Sequence, residues 1–220
     1  LYAAPDEERA SDLVRMFADP SIDALWCTLG GFGSERLFRH IDFDVLKANP
    51  KLLIGGSNVD QLHYMVHRFA FPYSLGWKNL AELLPQNGSQ FERQRAIDTY
   101  ARMVTGVDVP WSLPLGDCDP PVETLVGGQV EGPITGGCEL GFSIGTPWEP
   151  SFDGKIVVLD VASQDGFWSK WLAQLDNAGK LELAAGFVVV AQTFGESIPE
   201  RLRVDRRSPG GWPYLRDYLD

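Results

Sequence analysis

Ser57 is flanked by residues that could turn its hydroxyl into a nucleophile. The apolar run Leu52-Leu53-Ile54 breaks at Gly55-Gly56 onto Ser57, and an amphipathic segment over 58–69 follows at once. This order predicts a strand, a sharp turn that glycine tolerates, and a helix, with the serine exposed where the helix begins. A helix N-terminus presents unpaired N–H groups and positive potential, which favour an alkoxide or an oxyanion beside the hydroxyl. The chemistry so permitted is covalent catalysis through the serine. A plain helix cap at Ser57 or Asn58 is the competing reading, because serine and asparagine cap helices routinely.

A second unit of the same kind lies upstream, where residues 23–29 run into Gly30-Gly31-Phe32-Gly33 and a predicted helix over 34–40. Two such units joined by a crossover helix form neighbouring parallel strands whose turns emerge at one edge of the sheet. One turn then carries the serine while the other offers backbone N–H groups to a developing oxyanion. A phosphate loop fits less well, since the stretch lacks both a GxGxxG spacing and a Gly-Lys-Ser/Thr. His63 stands six residues after Ser57, roughly 9 Å along a helix axis and out of hydrogen-bond reach. With His67 it makes a helix-face pair lacking the glutamate of a zincin, and His40 is isolated, so no metal site is expected. Cys27, Cys118 and Cys138 are odd in number and widely spaced, which fits a reduced chain better than a disulfide framework.

These residues need elements to position them, and the first half supplies an alternation. Helix 7–18, strand 24–29, helices 34–40 and 43–48, strand 51–54 and helix 59–69 are what a parallel sheet requires. From 70 to 125 the pattern loosens to a helix over 90–104 and proline-rich loops at Pro110-Trp111-Ser112-Leu113-Pro114 and Cys118-Asp119-Pro120-Pro121. The second half reads as strand 155–159, helix 166–178 and strand 186–192, entered through a glycine-rich stretch with a short β section, from Gly127-Gly128 to Gly136-Gly137. The fold class is therefore α/β. An N-terminal parallel-sheet nucleophile domain (1–76) is followed by a linker or lid (77–126) and a smaller C-terminal β/α domain (127–220).

With 220 residues, 44% hydrophobic and 22% charged, the chain can bury a substantial core. Its longest apolar stretch, 181–191, falls short of the roughly 18 residues a membrane span needs. A net charge of −11 argues against nucleic acid and anionic membrane surfaces as partners. The cluster Arg201, Arg203, Arg206 and Arg207 reads as a solvated face.

Several blocks, in order, resemble the LD-carboxypeptidases and their microcin-immunity relatives, a group of serine peptidases. Asp6 to Leu13 with Phe17-Ala18-Asp19-Pro20-Ser21-Ile22-Asp23-Ala24 resembles the opening helix and the strand after it. Gly30-Gly31-Phe32-Gly33-Ser34 with Arg36-Leu37 fits the glycine turn, and Asp42-Phe43-Asp44, Asn49-Pro50-Lys51, Ile54-Gly55-Gly56-Ser57-Asn58 and Leu62-His63 fit the nucleophile segment. Glu131-Gly132-Pro133-Ile134-Thr135-Gly136-Gly137, Leu140 and Gly145-Thr146-Pro147 resemble the start of the second domain. The resemblance implies a cytoplasmic hydrolase without a cofactor, cleaving an L-to-D peptide bond in muropeptide-like substrates during wall recycling. A peptide substrate is the expected partner, and a homodimer is compatible.

By the same resemblance Ser57 is the nucleophile, the N–H groups of Asn58 and Gly31 bind the oxyanion, and Arg36 is a candidate for the substrate's terminal carboxylate, with a surface role as its alternative. Asp160 follows the apolar run Ile156-Val157-Val158-Leu159 where the family has its catalytic glutamate, and would orient a histidine. Gly56 and Asn58 replace an aromatic and an aspartate of the family pattern. No histidine follows His67, although the family's base lies in a glycine-flanked turn near the carboxyl end. A chain truncated at both ends is expected on this account, with natural loss of the base as the alternative. Two other functions stay open: a peptide-binding paralogue without activity, and an immunity-type hydrolase of a peptide–nucleotide conjugate in which Trp111 and Trp148 stack a base rather than pack a core.

Overall fold

The computed structural model describes residues 3–76, 78–84, 89–105, 127–160 and 167–190. Helix α1 (Asp6–Ala18) sets Asp6, Glu7 and Glu8 in its first turn, where the helix dipole favours negative charge, and buries Ala10, Leu13 and Phe17. Strand β1 (Ala24–Trp26) follows, then a single 3-10 turn over Glu35–Leu37 and helix α2 (Phe43–Ala48). The Asp42 carboxylate caps α2, accepting from the N–H groups of Asp44 at 3.1 Å and Val45 at 3.2 Å. Strand β2 (Leu52–Gly55), helix α3 (Val59–Phe69) and strand β3 (Leu75–Gly76) complete the first sheet. Its order is β1-β2-β3, parallel throughout, with Trp26 opposite Ile54 and Ile54 opposite Leu75.

A 3-10 turn over Leu80–Leu83 leads to helix α4 (Gln90–Thr105), whose Tyr100 ring lies 4.5 Å from that of Trp26. The second part holds strand β4 (Ile134–Gly137), the short helix α5 (Leu140–Ser143), strand β5 (Ile156–Asp160), helix α6 (Phe167–Asn177) and strand β6 (Gly186–Val190). Its sheet is again parallel, in the order β4-β5-β6. The α/β class, with a parallel sheet in the first part and a β/α second part, is thus as the residue pattern predicts; that the second sheet is parallel too is added by the structure.

One apolar cluster serves both parts: Phe17, Leu46, Leu53 and Met65 pack in continuity with Leu140, Trp148, Phe152, Val157 and Leu172. Helix α3 lies at its centre, with eight successive residues, Val59 to Val66, all buried.

Three local expectations change. The helix predicted over 34–40 is only the 3-10 turn at Glu35–Leu37, closed by i to i+3 bonds such as the Leu37 N–H to the Ser34 carbonyl at 3.1 Å, and only Leu37 of the turn is buried, so little apolar surface is there to hold a longer helix. The strand predicted over 24–29 ends at Trp26: the Cys27 N–H still bonds the Ile54 carbonyl of β2 at 2.8 Å, but the Cys27 and Thr28 carbonyls accept from the N–H groups of Leu80 and Ala81. Strand β3 has no counterpart in the sequence reading, since two residues carry no periodicity. The proline-rich loops within 106–126, the arginine cluster after 200 and the last two residues of the strand predicted over 186–192 lie outside the described residues.

Phe17 is fully buried, with its ring centroid 6.0 Å from that of Phe71. Phe17→Ala is expected to remove about 3–5 kcal/mol of stability, read as a lower urea midpoint at unchanged slope. A loss below about 1 kcal/mol would show that α1 is not locked to the core.

Candidate active site

Ser57 is exposed and sits between β2 and α3, in the turn where the sequence places it. Its φ is +61°, and among the described residues it is the one non-glycine residue with positive φ. A side chain in this left-handed region costs about 1–2 kcal/mol and persists where the surroundings hold it. The turn runs straight into the helix: the Val59 N–H reaches the Gly56 carbonyl at 3.4 Å and the Asp60 N–H reaches the Ser57 carbonyl at 2.8 Å.

Because β1 and β2 are adjacent and parallel, the upstream glycine turn emerges beside Ser57. A Cβ on Gly30 would lie 2.7 Å from Ser57 Cβ and 3.0 Å from Ser57 Oγ, so only glycine allows this approach. Gly31, with φ of +97°, has nothing within 4 Å of its own Cβ position and opens onto free space at the same edge.

The first turn of α3 is polar and buried. Asn58, 3% exposed, accepts from the Ser34 N–H at 2.8 Å and donates to Glu35 Oε2 at 3.1 Å and Glu139 Oε2 at 3.3 Å. Asp60 accepts from the Cys138 N–H at 3.0 Å and from its thiol at 3.5 Å. A side chain at Gly137 would run into the Asp60 carboxylate, which explains the glycine that ends β4. Gln61 donates to the Glu139 carbonyl at 3.0 Å and accepts from Trp148 Nε1 at 2.7 Å. Three residues of the nucleophile helix thereby clamp the chain leaving β4. None was singled out for this by spacing, because each partner lies 78 to 87 residues away, apart from the Asn58 bonds to Ser34 and Glu35.

Burial pushes the Asp60 carboxyl up to about 7, although the bonds from Cys138 oppose the shift. Glu139 is raised for the same reason, with the Asn58 and Gln61 contacts acting against it. Burial also raises the Cys138 thiol, and the nearby charges of Asp60, Glu139 and Asp160 add to the effect. Asp160 ends β5, half-buried, close enough to Cys138 for its charge to act there. The structure thus brings Asp160 to the seam at which the Ser57 helix meets the second sheet.

The histidines are engaged elsewhere. His63 is buried and donates from Nε2 to the Gly55 carbonyl at 2.9 Å, and burial lowers its basicity. His67 is hydrogen bonded to Ser74 Oγ at 2.8 Å and is pushed down to about 4, while His40 lies 3.9 Å from Glu7. Arg36 is paired with Asp6 at 2.6 Å, and together with Arg9 it lowers the Asp6 carboxyl to about 2. A cavity of about 390 Å³ is lined by Arg36, Arg39, Glu35, Phe38 and Trp148, among others, but by none of Ser57, Gly31 or Asp160. The Trp148 ring is buried and lies 4.6 Å from Phe38, so it is packed in the core, and Trp111 lies outside the described residues. Among the described residues no three histidine, cysteine or carboxylate side chains are grouped to hold a metal, and no helix is long and apolar enough to cross a membrane.

Residues 1–74 match the LD-carboxypeptidase N-terminal domain, and residues 131–206 match the LD-carboxypeptidase C-terminal domain. A protein named probable murein peptide carboxypeptidase, from Bacillus subtilis (strain 168), is 29% identical over 198 residues, covering 85% of this chain and 57% of the relative. The murein tetrapeptide carboxypeptidase of Pseudomonas aeruginosa is 29% identical over 159 residues, 70% of this chain and 50% of its own length. The chain therefore spans between half and three fifths of these two curated relatives. Among solved structures, the microcin C7 self immunity protein MccF in its wild-type apo state superposes with a TM-score of 0.75 at 16% identity, over 99% of this chain and 70% of that one. The muramoyltetrapeptide carboxypeptidase of Oxalobacter formigenes gives 0.68 at 23% identity, over 87% and 64%. These likenesses establish the fold.

Asp60 generates a pH dependence of stability. A carboxyl raised from 3.8 to about 7 in the folded protein holds a proton that the unfolded chain releases, so its contribution is complete below about pH 4 and is lost as pH rises through about 7. Asp60→Asn keeps an oxygen for the Cys138 N–H and removes this titration. Between about pH 5 and pH 8 the Tm of the parent should fall by about 5–10 °C more than that of the variant. Equal pH slopes in the two proteins would show that Asp60 is ionised across that range.

Proposed function

The chain belongs to the LD-carboxypeptidase family, and on that premise we propose that it is a serine carboxypeptidase acting on the L-to-D bond of muropeptide-type peptides. The observation that carries the proposal is the exposed Ser57, held at φ of +61° with the glycine turn against its Oγ. That conformation aims a hydroxyl out of the sheet edge while the helix behind it supplies N–H groups.

In this reading Ser57 Oγ attacks the carbonyl carbon of the terminal peptide bond. The carbonyl oxygen becomes an oxyanion, which the backbone N–H groups of Asn58 and Gly31 receive. Collapse of the tetrahedral intermediate expels the terminal D-amino acid and leaves an acyl-serine, which water then hydrolyses. Ser57 must lose its proton as it attacks, and the leaving amine must gain one. Asp160 is assigned the role of the carboxylate that orients the base serving both steps. His40, His63 and His67 are not given that role, since each is bonded or paired elsewhere. Arg36 already holds Asp6 through Nε and Nη2, so as a ligand for the substrate carboxylate it would be shared with that side chain.

A second reading is supported by the same histidine geometry. With no histidine bonded to Ser57, a cleft that binds peptide without cutting it is the main rival. Hydrolysis of a peptide–nucleotide conjugate has less behind it, because Trp148 is committed to Phe38 and Gln61.

The test is release of the terminal D-amino acid from a tetrapeptide by the protein as its gene encodes it. Ser57→Ala should lower kcat by about 10⁶ while the protein stays folded. Gly30→Ala, whose Cβ would stand 2.7 Å from Ser57 Cβ, should lower kcat by about a hundredfold. Equal turnover by the parent and Ser57→Ala would exclude Ser57 as nucleophile. Tight peptide binding without release by the parent would select the second reading.

A further inference from the structure

We propose that Asn79 is a positioning residue that holds the Ser57 turn and the Gly30 turn in register with each other; its catalytic consequence rests on Ser57 being the nucleophile. Asn79 lies in the stretch whose residue pattern predicts a linker or lid, yet it is 1% exposed and its amide reaches Gly56 at the base of the nucleophile turn.

Its amide acts as a substitute strand partner. Pairing of β2 with β3 ends at Gly55 opposite Gly76, one residue short of the turn. At Gly56 the side chain of Asn79 takes over: the Gly56 N–H donates to Asn79 Oδ1 at 3.3 Å, and Asn79 Nδ2 donates to the Gly56 carbonyl at 3.3 Å. Both polar groups of the residue before Ser57 are thus satisfied by one side chain. Glu82 fixes which way the amide faces, since its Oε1 accepts from Asn79 Nδ2 at 2.7 Å and from the Asn79 N–H at 3.3 Å. The approach is close: a Cβ on Gly55 would lie 3.1 Å from Asn79 Oδ1 and 3.0 Å from Cys27 Cβ.

The same short segment is stitched to the chain leaving β1. Trp26 Nε1 donates to the Lys78 carbonyl at 2.9 Å. The Leu80 N–H donates to the Cys27 carbonyl at 2.9 Å, and the Ala81 N–H to the Thr28 carbonyl at 2.8 Å. Thr28 precedes Gly30 by two residues, and Gly56 immediately precedes Ser57. Residues 78–81 therefore grip both turns just before the atoms that meet. Register pairing of β1 with β2 ends at Trp26 opposite Ile54, with one further bond from the Cys27 N–H to the Ile54 carbonyl at 2.8 Å; past it this bridge joins the two turns, alongside the Ser34 N–H bond to the Asn58 side chain.

Oxyanion donors work only within a few tenths of an ångström of their target, and a displacement of about 1 Å can cost about a hundredfold in rate. Losing Asn79 takes the acceptor from the Gly56 N–H and leaves the Gly56 carbonyl with the 3.4 Å bond from the Val59 N–H, which loosens the turn ahead of the left-handed Ser57 without removing any group that touches substrate. Aspartate is no substitute. It would keep an acceptor for the Gly56 N–H but set a carboxylate against the Gly56 carbonyl and Glu82.

The experiment compares the protein as its gene encodes it with Asn79→Ala, Asn79→Asp and Ser57→Ala. Circular dichroism gives the Tm of each, and kinetics are taken well below the lowest of them, so that every variant is folded. Amide exchange by mass spectrometry is read over 27–34 and 52–60. In Asn79→Ala, exchange in both segments should rise by about tenfold or more while the second sheet is unchanged. Its kcat should fall by about a hundredfold with KM within about threefold, and Asn79→Asp should fall at least as far. Parental kcat in the folded variants, or faster exchange over 52–60 alone, would overturn the proposal. A parent that releases no amino acid, or that matches Ser57→Ala, would remove the nucleophile reading instead. The exchange data then decide on their own whether Asn79 couples the turns.

Discussion

Helix α3 is buried on every side over its first eight residues, and four of those eight, Asp60, Gln61, His63 and Tyr64, carry polar atoms. Water is not available to them, so each polar group must find its partner in the protein or bear a desolvation cost. Most of the site follows from that constraint. Asp60 and Gln61, with Asn58 just before them, reach forward to the chain after β4, and His63 reaches back to the end of β2. The helix that begins at Ser57 is consequently the part both sheets share, and the sheets cannot shift relative to each other without breaking bonds to it.

The seam is held by amides set among acids. Glu35, Asp60 and Glu139 surround the start of α3, and Asn58 bridges two of them with one NH₂ group while its oxygen takes the Ser34 N–H. A carboxylate at position 58 would keep the last of these bonds and lose the other two, facing Glu35 and Glu139 with like charge. This accounts physically for asparagine where the family pattern has aspartate. The nucleophile's own N-terminal dipole is thereby surrounded by negative groups, and burial answers by driving Asp60 and Glu139 toward their neutral forms.

Backbone strain is concentrated where the chemistry is assigned. The left-handed Ser57 is hemmed in from two directions, by Gly30 at its Cβ and by the Asn79 amide on the residue before it. A strained residue persists only when its surroundings leave it no alternative. Here those surroundings come from two separate stretches of chain, which is why the turn sits at a sheet edge and not in an isolated loop.

The sequence by itself determined the two strand–turn–helix units, the glycines that let them touch, and the exposed serine between β2 and α3. Those features obey local sterics: the φ a residue tolerates and the period of its apolar neighbours are properties of a few consecutive residues. It also carried the family membership, through ordered blocks at matching spacing. Tertiary structure alone decided what the polar side chains do. Asn79 bracing Gly56, Asp60 bound to Cys138, Arg36 held by Asp6, and His63 bonded to the Gly55 carbonyl all join residues that no local rule connects. A side chain's hydrogen-bond partner is chosen by which surfaces the packed core brings together, and burial then decides whether the group keeps its charge.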